Sequence, residues 1–213
     1  MKQRLAILGM LIALGGVAPY ATPITGARQK EVRVTRLHVD GGYGDLASLE
    51  KIVSLSDAVI LGDVVSSRPS SVAPSGFPDE EGIFFSTAYS LKIQQVLRWS
   101  DQLGTAPESL EVELSGVGDV DRGSYIQRHS SERLRELQRD RVYLLFIRKH
   151  VHGRPPDARV TWGLATGDGQ SIVELRAGNL APQAATPLAL DLARLTPTAL
   201  FEKIRQIPRG ESR

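Results

Sequence analysis

The chain of 213 residues contains no cysteine. Disulfide bonds, thiol nucleophiles, CxxC redox motifs and thiolate metal sites are therefore excluded, and the fold must be stable through its core alone. Net charge is nearly absent as well, because Lys2 and Arg4 account for the whole formal charge of +2. A nearly neutral chain lacks the basic surface that non-specific nucleic-acid binding requires. We therefore expect no nucleic-acid partner.

The chain also lacks an apolar run of the length that crosses a bilayer as a helix, which is about 20 residues. Its most apolar run, Leu5–Ala18, follows Lys2 and Arg4 and is followed by small residues. A charged start, a short apolar stretch and a small-residue exit form the layout of a secretory signal. Residues 1–21 are therefore predicted to be a signal peptide or an N-terminal anchor. We expect an exported protein, periplasmic or secreted, or anchored in the inner membrane through residues 5–21.

Signatures of catalysis are missing too. No GxSxG nucleophile elbow occurs in the chain. The glycine-rich stretch Gly41–Asp45 lacks the lysine that a P-loop places on phosphates. The sequence thus favours a non-catalytic protein without a cofactor.

What the chain does contain is the composition of one globular domain, with 41% hydrophobic and 23% charged residues. Its segments follow from local changes in composition and periodicity. We predict a flexible linker at 22–30, a β-barrel domain at 31–180, a second linker at 181–195, a C-terminal helix at 196–207 and a tail at 208–213.

Strict alternation of apolar and polar residues predicts a half-buried antiparallel strand whose inner face carries Phe85, Thr87, Tyr89, Leu91 and Ile93. The alternation shifts by one residue at 95–97, which predicts a β-bulge. Further strands are predicted at 31–40, 58–65, 110–114, 142–147, 160–164 and 172–175.

The runs at 58–65 and 142–147 are apolar almost throughout, so both are expected to be well buried. The last two predicted strands bracket Gly167–Gly169, a predicted hairpin turn. Residues 66–82 are rich in serine and proline and predict a long mobile loop.

Helical patterns lie on either side of these strands. Asp45 is a predicted N-cap for a helix through Ser54. Thr196 and Pro197 suit the cap and first position of a C-terminal helix, whose apolar stripe is Leu200, Phe201, Ile204 and Ile207. Residues 128–141 are charged and predict an exposed, salt-bridged segment, although Leu134 and Leu137 lie at helical spacing.

The element order predicts a mainly β (α+β) fold. We expect a small antiparallel OB-like barrel or sandwich with a short N-terminal helix and a C-terminal helix.

Three stretches, Ser56–Val65, Tyr89–Leu97 and Arg141–Phe146, resemble the strands of netrin-like OB-fold barrels, which include the tissue inhibitors of metalloproteinases. They also resemble exported bacterial domains with the layout SDaVvvG.V, V..vL and yLlFl. The resemblance covers roughly residues 56–147 and implies a small barrel in an exported setting. The metalloproteinase inhibitors use an N-terminal cysteine and several disulfides, which this chain lacks, so the resemblance does not imply protease inhibition.

Binding residues are predicted where aromatic and basic side chains meet strand ends or loops. Trp99 with the adjacent Arg98 is one candidate surface, and Phe77 in the predicted loop is another. Loops on a rigid barrel carry variable binding surfaces. A core or lid position for Trp99 is the alternative. The leading hypothesis is a binding module whose partner is another envelope or secreted protein.

Two histidines support a different hypothesis. His150 and His152 fall on one face of an extended segment, and neutral imidazole is a common zinc ligand. A third ligand would come from His38, His129 or a carboxylate. The alternatives to the binding module are therefore a metal-dependent hydrolase using His150 and His152, and a membrane-anchored accessory subunit. The plainer interpretation of both histidines is a solvated basic turn.

Overall fold

The computed structural model describes residues 30–37, 46, 48–72, 84–115, 118–121, 124–131, 134–152, 159–166 and 168–208. The predicted signal or anchor at 1–21, nearly all of the linker at 22–30, Phe77 and residues 209–213 lie outside these ranges. None of the helices within them has the length and hydropathy needed to cross a membrane.

Within the described ranges the chain forms strands and three short α-helices. The strands are β1 (Glu31–Leu37), β2 (Ala58–Val72), β3 (Phe84–Trp99), β4 (Ser109–Ser115), β5 (Gly118–Asp121), β6 (Tyr125–Ser131), β7 (Val142–His152), β8 (Arg159–Leu164), β9 (Ile172–Arg176) and β10 (Asn179–Pro182). The helices are α1 (Leu49–Leu55), α2 (Pro187–Ala193) and α3 (Pro197–Gln206).

A closed barrel of five strands organises the molecule. Its strands follow one another in the order β2, β3, β4, β8 and β7, and β7 closes the ring by pairing with β2. Neighbours are antiparallel except for β4 and β8, which are parallel. The predicted mainly β fold with a small OB-like barrel is confirmed. β9 and β10 extend the sheet from β7, and β1, β6 and β5 form a separate three-stranded sheet.

Most residues of the two apolar runs are buried, on both faces of the barrel wall, as predicted, whereas Val65 at the end of the first run is 48% exposed. Along β2, Ala58 and Ile60 face the barrel core, while Val59 and Leu61 face a second core under the helices. Tyr143–Ile147 alternates between the same two cores. A strand covered on both sides needs apolar residues at every position, which is why alternation is missing there.

Register shifts let the long β2–β3 pair coil around the barrel. Ile60 pairs with Val96 while Val59 pairs with Arg98, so the extra residue lies at Leu97, where the sequence predicts a bulge. A second shift lies beside Gly62, where an added Cβ would come within 3.2 Å of the Lys92 carbonyl oxygen. Bulges of this kind increase the bend of a strand.

The two ends of the barrel are closed differently. At the end that we name the floor, Leu134 and Leu137 enter the barrel core, and Asp140 N–H donates to the Val64 carbonyl. At the opposite end, the mouth, Trp99 pairs with Ala58 and packs against the same core. The prediction of a wholly exposed segment at 128–141 is therefore wrong for the two leucines, whose burial outweighs the charge of their neighbours.

The helices cover the outer face of the wall. α3 has the predicted cap, with Thr196 Oγ1 accepting from Ala199 N–H at 3.2 Å. Its Leu200 and Ile204 are buried in the outer core, so α3 docks on its own barrel. α1 begins at Leu49 with Ser48 as its cap, later than predicted.

Residues 181–195 are not a plain linker. They contain α2, capped by Thr186, because Leu188 and Leu192 complete the same outer core.

Two loop predictions also differ from the structure. Residues 66–72 continue β2 instead of starting a loop. The β2–β7 pairing ends at Asp63, and among the described strands residues 66–72 pair only with β3. An edge position of this kind tolerates Pro69, which has no N–H to donate.

The predicted 164–172 hairpin is wrong as well, because β8 and β9 each pair with β7 rather than with each other. Asp168 redirects the chain between them by accepting from Thr166 Oγ1 at 2.8 Å and from Gln170 N–H at 3.0 Å.

Candidate functional site

A polar face lies on the outside of the barrel wall, on parts of the strands that do not contribute to the core under the helices. Tyr89, Leu91, Val112 and Leu114 point into the barrel core. The residues that alternate with them point outward. We use the name polar face for Arg68, Ser70, Ser86, Glu111, Glu113 and His150.

An ion pair crosses this face. The guanidinium of Arg68 on β2 donates to both carboxylate oxygens of Glu111 on β4, at 2.6 and 3.2 Å. Both side chains are well exposed, at 57% and 39%. Exposed pairs contribute about 0–1 kcal/mol to stability. The Arg68–Glu111 pair therefore contributes little to the stability of the fold, and it leaves one charge of each sign accessible at the surface.

Beside the ion pair lies a buried carboxylate. Glu113 is 7% exposed, and its Oε1 accepts from the Ser70 hydroxyl at 3.0 Å. Ser86 in turn donates to the Ser70 carbonyl at 2.9 Å. This hydrogen bond fixes the orientation of the Glu113 carboxylate. Loss of the Ser70 donor would leave a buried acceptor unsatisfied, at a cost of about 1–3 kcal/mol.

His150 lies against a glycine at the next strand. Gly163 on β8 pairs with Glu113 on one side and with Arg148 on the other. A Cβ at Gly163 would approach His150 Cδ2 and Nε2 to 2.9 and 3.0 Å. The absence of a side chain at this position therefore lets the imidazole lie on the backbone of β8, at the edge of the polar face.

The Ser70 hydroxyl donates its hydrogen to the Glu113 carboxylate, whereas in a Ser-His-Asp triad the hydroxyl donates to an imidazole. The face combines donors from Arg68 with acceptors from Glu111 and Glu113 at fixed spacing. Such an arrangement can form hydrogen bonds and ion pairs with the polar groups of a ligand.

Trp99 lies at the mouth, where its ring packs against Trp162 with centroids 5.3 Å apart and planes tilted by 34°. Its Nε1 is buried without a hydrogen-bond partner within the described ranges. The lid position that the sequence left open as an alternative thus describes its packing, and its role in binding stays a prediction.

Arg98 follows a different course from Trp99, its neighbour in β3. Arg98 donates to the carbonyls of Ile207 and Pro208, so it fastens the end of α3 to the barrel. Phe77 lies outside the described residues, and its role in binding stays a prediction. Val72 and Phe84 pair at the far end of β2 and β3, about 50 Å from Trp99 measured along the strand.

The predicted metal site at His150 and His152 lies only partly within the described residues. Among the residues described, no three His, Asp or Glu side chains come together as a metal site. His150 lies on Gly163, as above, while the His152 side chain lies outside the description. The hydrolase based on these two histidines stays a prediction.

Sequence reasoning missed most of the polar face. Glu111 and Glu113 alternate with Leu110, Val112 and Leu114, so their outward direction follows from the pattern that predicts the strand. Their partners Arg68 and Ser70 were hidden, because serine and proline made that segment resemble a loop. No family model matches the chain, and comparison with curated proteins finds no significant relative.

Proposed function

We propose that the protein is an exported, non-catalytic binding module that recognises a protein or another envelope component through the polar face. Export rests on the signal-like N-terminus, and the absence of a catalytic signature in the sequence supports a binding role. The observation that carries the proposal is the arrangement of Arg68, Glu111, Ser70 and Glu113, in which an exposed pair of opposite charges lies beside a buried, hydrogen-bonded carboxylate.

The construction of the barrel supports an external site. Its interior is filled by side chains from all five strands and by the two leucines of the floor. The helices occupy the outer surface of β7 and β9 and of the part of β2 and β3 that carries Val59, Leu61 and Leu97. The polar face lies on the other part of β2 and β3 and on β4, and the paired strands form a rigid frame for it.

The test is capture from envelope extract with the full chain and with Glu111→Arg. Reversal of this charge places two cations side by side and should abolish recovery of a stoichiometric partner. Glu202→Arg is the matched control, because Glu202 is an exposed acid on α3, away from the face. Circular dichroism should show both variants folded.

Equal capture by both variants would contradict the proposal. A second variant separates the face from the segment that contains Phe77. Replacing residues 73–83 with a two-residue Asn-Gly turn removes that segment while keeping the paired ends at Val72 and Phe84. Capture should survive this change if the polar face is the site, and its loss would move the site to the segment.

A further inference from the structure

Part of β7 and β8 continues past the barrel as a two-stranded ribbon. β7 pairs with β2 only as far as Ile147 and with β9 only as far as Leu145. β8 pairs with β4 only at Trp162 and Gly163. Beyond these points, residues 150–152 and 159–161 pair with each other alone among the described strands. We name these residues the ribbon.

Two valines form an exposed apolar pair on the ribbon. Val151 and Val160 are direct cross-strand partners and are 62% and 51% exposed. Trp162, two residues from Val160, lies on the same side of its strand and continues into the tryptophan pair of the mouth. The ribbon therefore extends an apolar surface from the barrel core into solvent.

The same segment is basic. Residues 148–152 and 159–161 include Arg148, Lys149 and Arg159 and no acidic residue, and the intervening sequence 153–158 contains one charge of each sign. Arg148 and Lys149 are exposed. The nearby Asp57 uses its carboxylate to accept the Lys149 main-chain N–H at 2.8 Å. The exposed valines are thus bordered by positive charge in a chain that is otherwise close to neutral.

We propose that the ribbon docks on a membrane surface rich in anionic phospholipid. Val151 and Val160 enter the headgroup layer, and Arg148 and Lys149 attract the phosphates. Apolar insertion and electrostatic attraction are the two contributions that hold a peripheral element at such a surface. The inference is independent of the ligand that binds the polar face.

The combination of groups favours lipid over other anionic partners. A soluble polyanion would use the basic residues but leave the valines in water. An acidic protein surface would need a concave seat for the ribbon, whereas a headgroup layer deforms around a projecting element. A membrane satisfies both the charge and the apolar pair.

The lack of cysteine makes the test specific to one position. Val151→Cys in the chain as purified from expressing cells can be labelled with an environment-sensitive fluorophore. Vesicles of phosphatidylcholine with phosphatidylglycerol should raise the emission about threefold, and phosphatidylcholine alone should leave it unchanged. Any N-terminal anchor is common to both lipid mixtures, so the difference between them reports the ribbon.

The matched control is Val34→Cys, an exposed valine on β1 in the separate sheet. Its label should not respond to lipid charge. Adding Arg148→Gln with Lys149→Gln to the labelled chain should remove the response at position 151, whereas Lys51→Gln with Lys203→Gln removes the same charge elsewhere and should not.

Three results would overturn the proposal. One is an unchanged emission with anionic vesicles, and another is an equal response at position 34, which would mean general adsorption. The third is the same response to heparin without lipid, which would identify a polyanion site. Loss of the lipid response with Val160→Thr would support apolar insertion.

Discussion

Leu134 and Leu137 close the floor of the barrel, whereas the paired rings of Trp99, at the end of β3, and Trp162, within β8, close the mouth. The floor leucines are 2% and 5% exposed. At the mouth both tryptophans are only partly buried, and the exposed pair of Val151 and Val160 follows. One end is sealed, and the other continues into solvent.

Polar groups at the two ends differ in the same way. At the floor, the Tyr143 hydroxyl accepts from Gln138 N–H at 2.9 Å. Glu174 binds Arg141 and Arg176 at 2.9 and 2.7 Å. At the mouth, the Trp99 N–H has no acceptor in the part of the chain described. The polar groups of the floor are therefore paired, whereas the mouth, where the ribbon begins, contains a buried donor without an acceptor among the described residues.

The largest expected effect is at the floor. Leu134→Ala should lower the free energy of unfolding by about 3 kcal/mol, because it opens a cavity in the barrel core. Urea unfolding followed by circular dichroism measures it. Leu190→Ala on α2 is the control, since Leu190 is 60% exposed and should change stability by less than about 0.5 kcal/mol. Equal losses would mean that Leu134 does not close the floor.

The polar seal of the floor gives the next effect. The hydrogen bond from Arg176 is the main cause that lowers the pKa of Glu174 below its ordinary value of 4.5, and Arg141 adds to it. Glu174→Gln should cost about 1.5 kcal/mol at pH 7, a low value for a buried carboxylate because both arginines are half exposed.

The pH dependence of this cost has a definite sign. A lowered folded-state pKa stabilises the protein above the ordinary value, and this contribution is lost as pH falls through the folded-state pKa. The difference between wild type and Glu174→Gln should therefore be largest above pH 4.5 and should shrink as the pH falls through the lowered folded-state pKa. A difference that does not change with pH would assign it to shape rather than to charge. Glu202→Gln is the control, and it should change stability at pH 7 by less than about 0.5 kcal/mol.

A smaller effect is expected from the unsatisfied N–H at the mouth. Trp99→Phe and Trp162→Phe each remove part of an indole from the same ring pair, but only Trp99→Phe also removes the buried donor without a partner. Trp99→Phe should therefore be less destabilising by about 1 kcal/mol. Urea unfolding, with the remaining tryptophan as the fluorescent probe, measures the difference. Equal losses would show that the N–H costs nothing.

The sequence predicts the strands of the barrel wall but not the segment that closes the floor of the barrel. The runs 58–65 and 142–147 and the stripe of α3 follow from periodicity, because burial there depends on local pattern. The floor does not, because Leu134 and Leu137 are buried without a helix, through a fit to strands distant in the chain. The linker prediction at 181–195 is wrong for a related reason, because α2 spans only Pro187–Ala193 and its Leu188 and Leu192 are buried against distant parts of the chain.

The polar face depends on register in a way that no local pattern shows. Arg68 reaches Glu111 only because β2 and β4 both pair with β3 and because an extra residue at Val65 shifts β2 by one position. His150 meets the face only because position 163 is a glycine. Both facts become visible when strands far apart in sequence are aligned.

Substitutions in the ribbon should have the smallest effect on stability, and the size of this effect tests whether the two valines pack against the protein. Val151→Thr with Val160→Thr keeps the β-branched shape that strands favour, and both valines are more than half exposed. The free energy of unfolding should change by less than about 0.5 kcal/mol, as it should for Val32→Thr with Val34→Thr on β1. A loss above about 1 kcal/mol in the ribbon variant alone would show that the valines pack against the protein itself. The mouth would then be closed like the floor, and the apolar pair would not be available to a membrane.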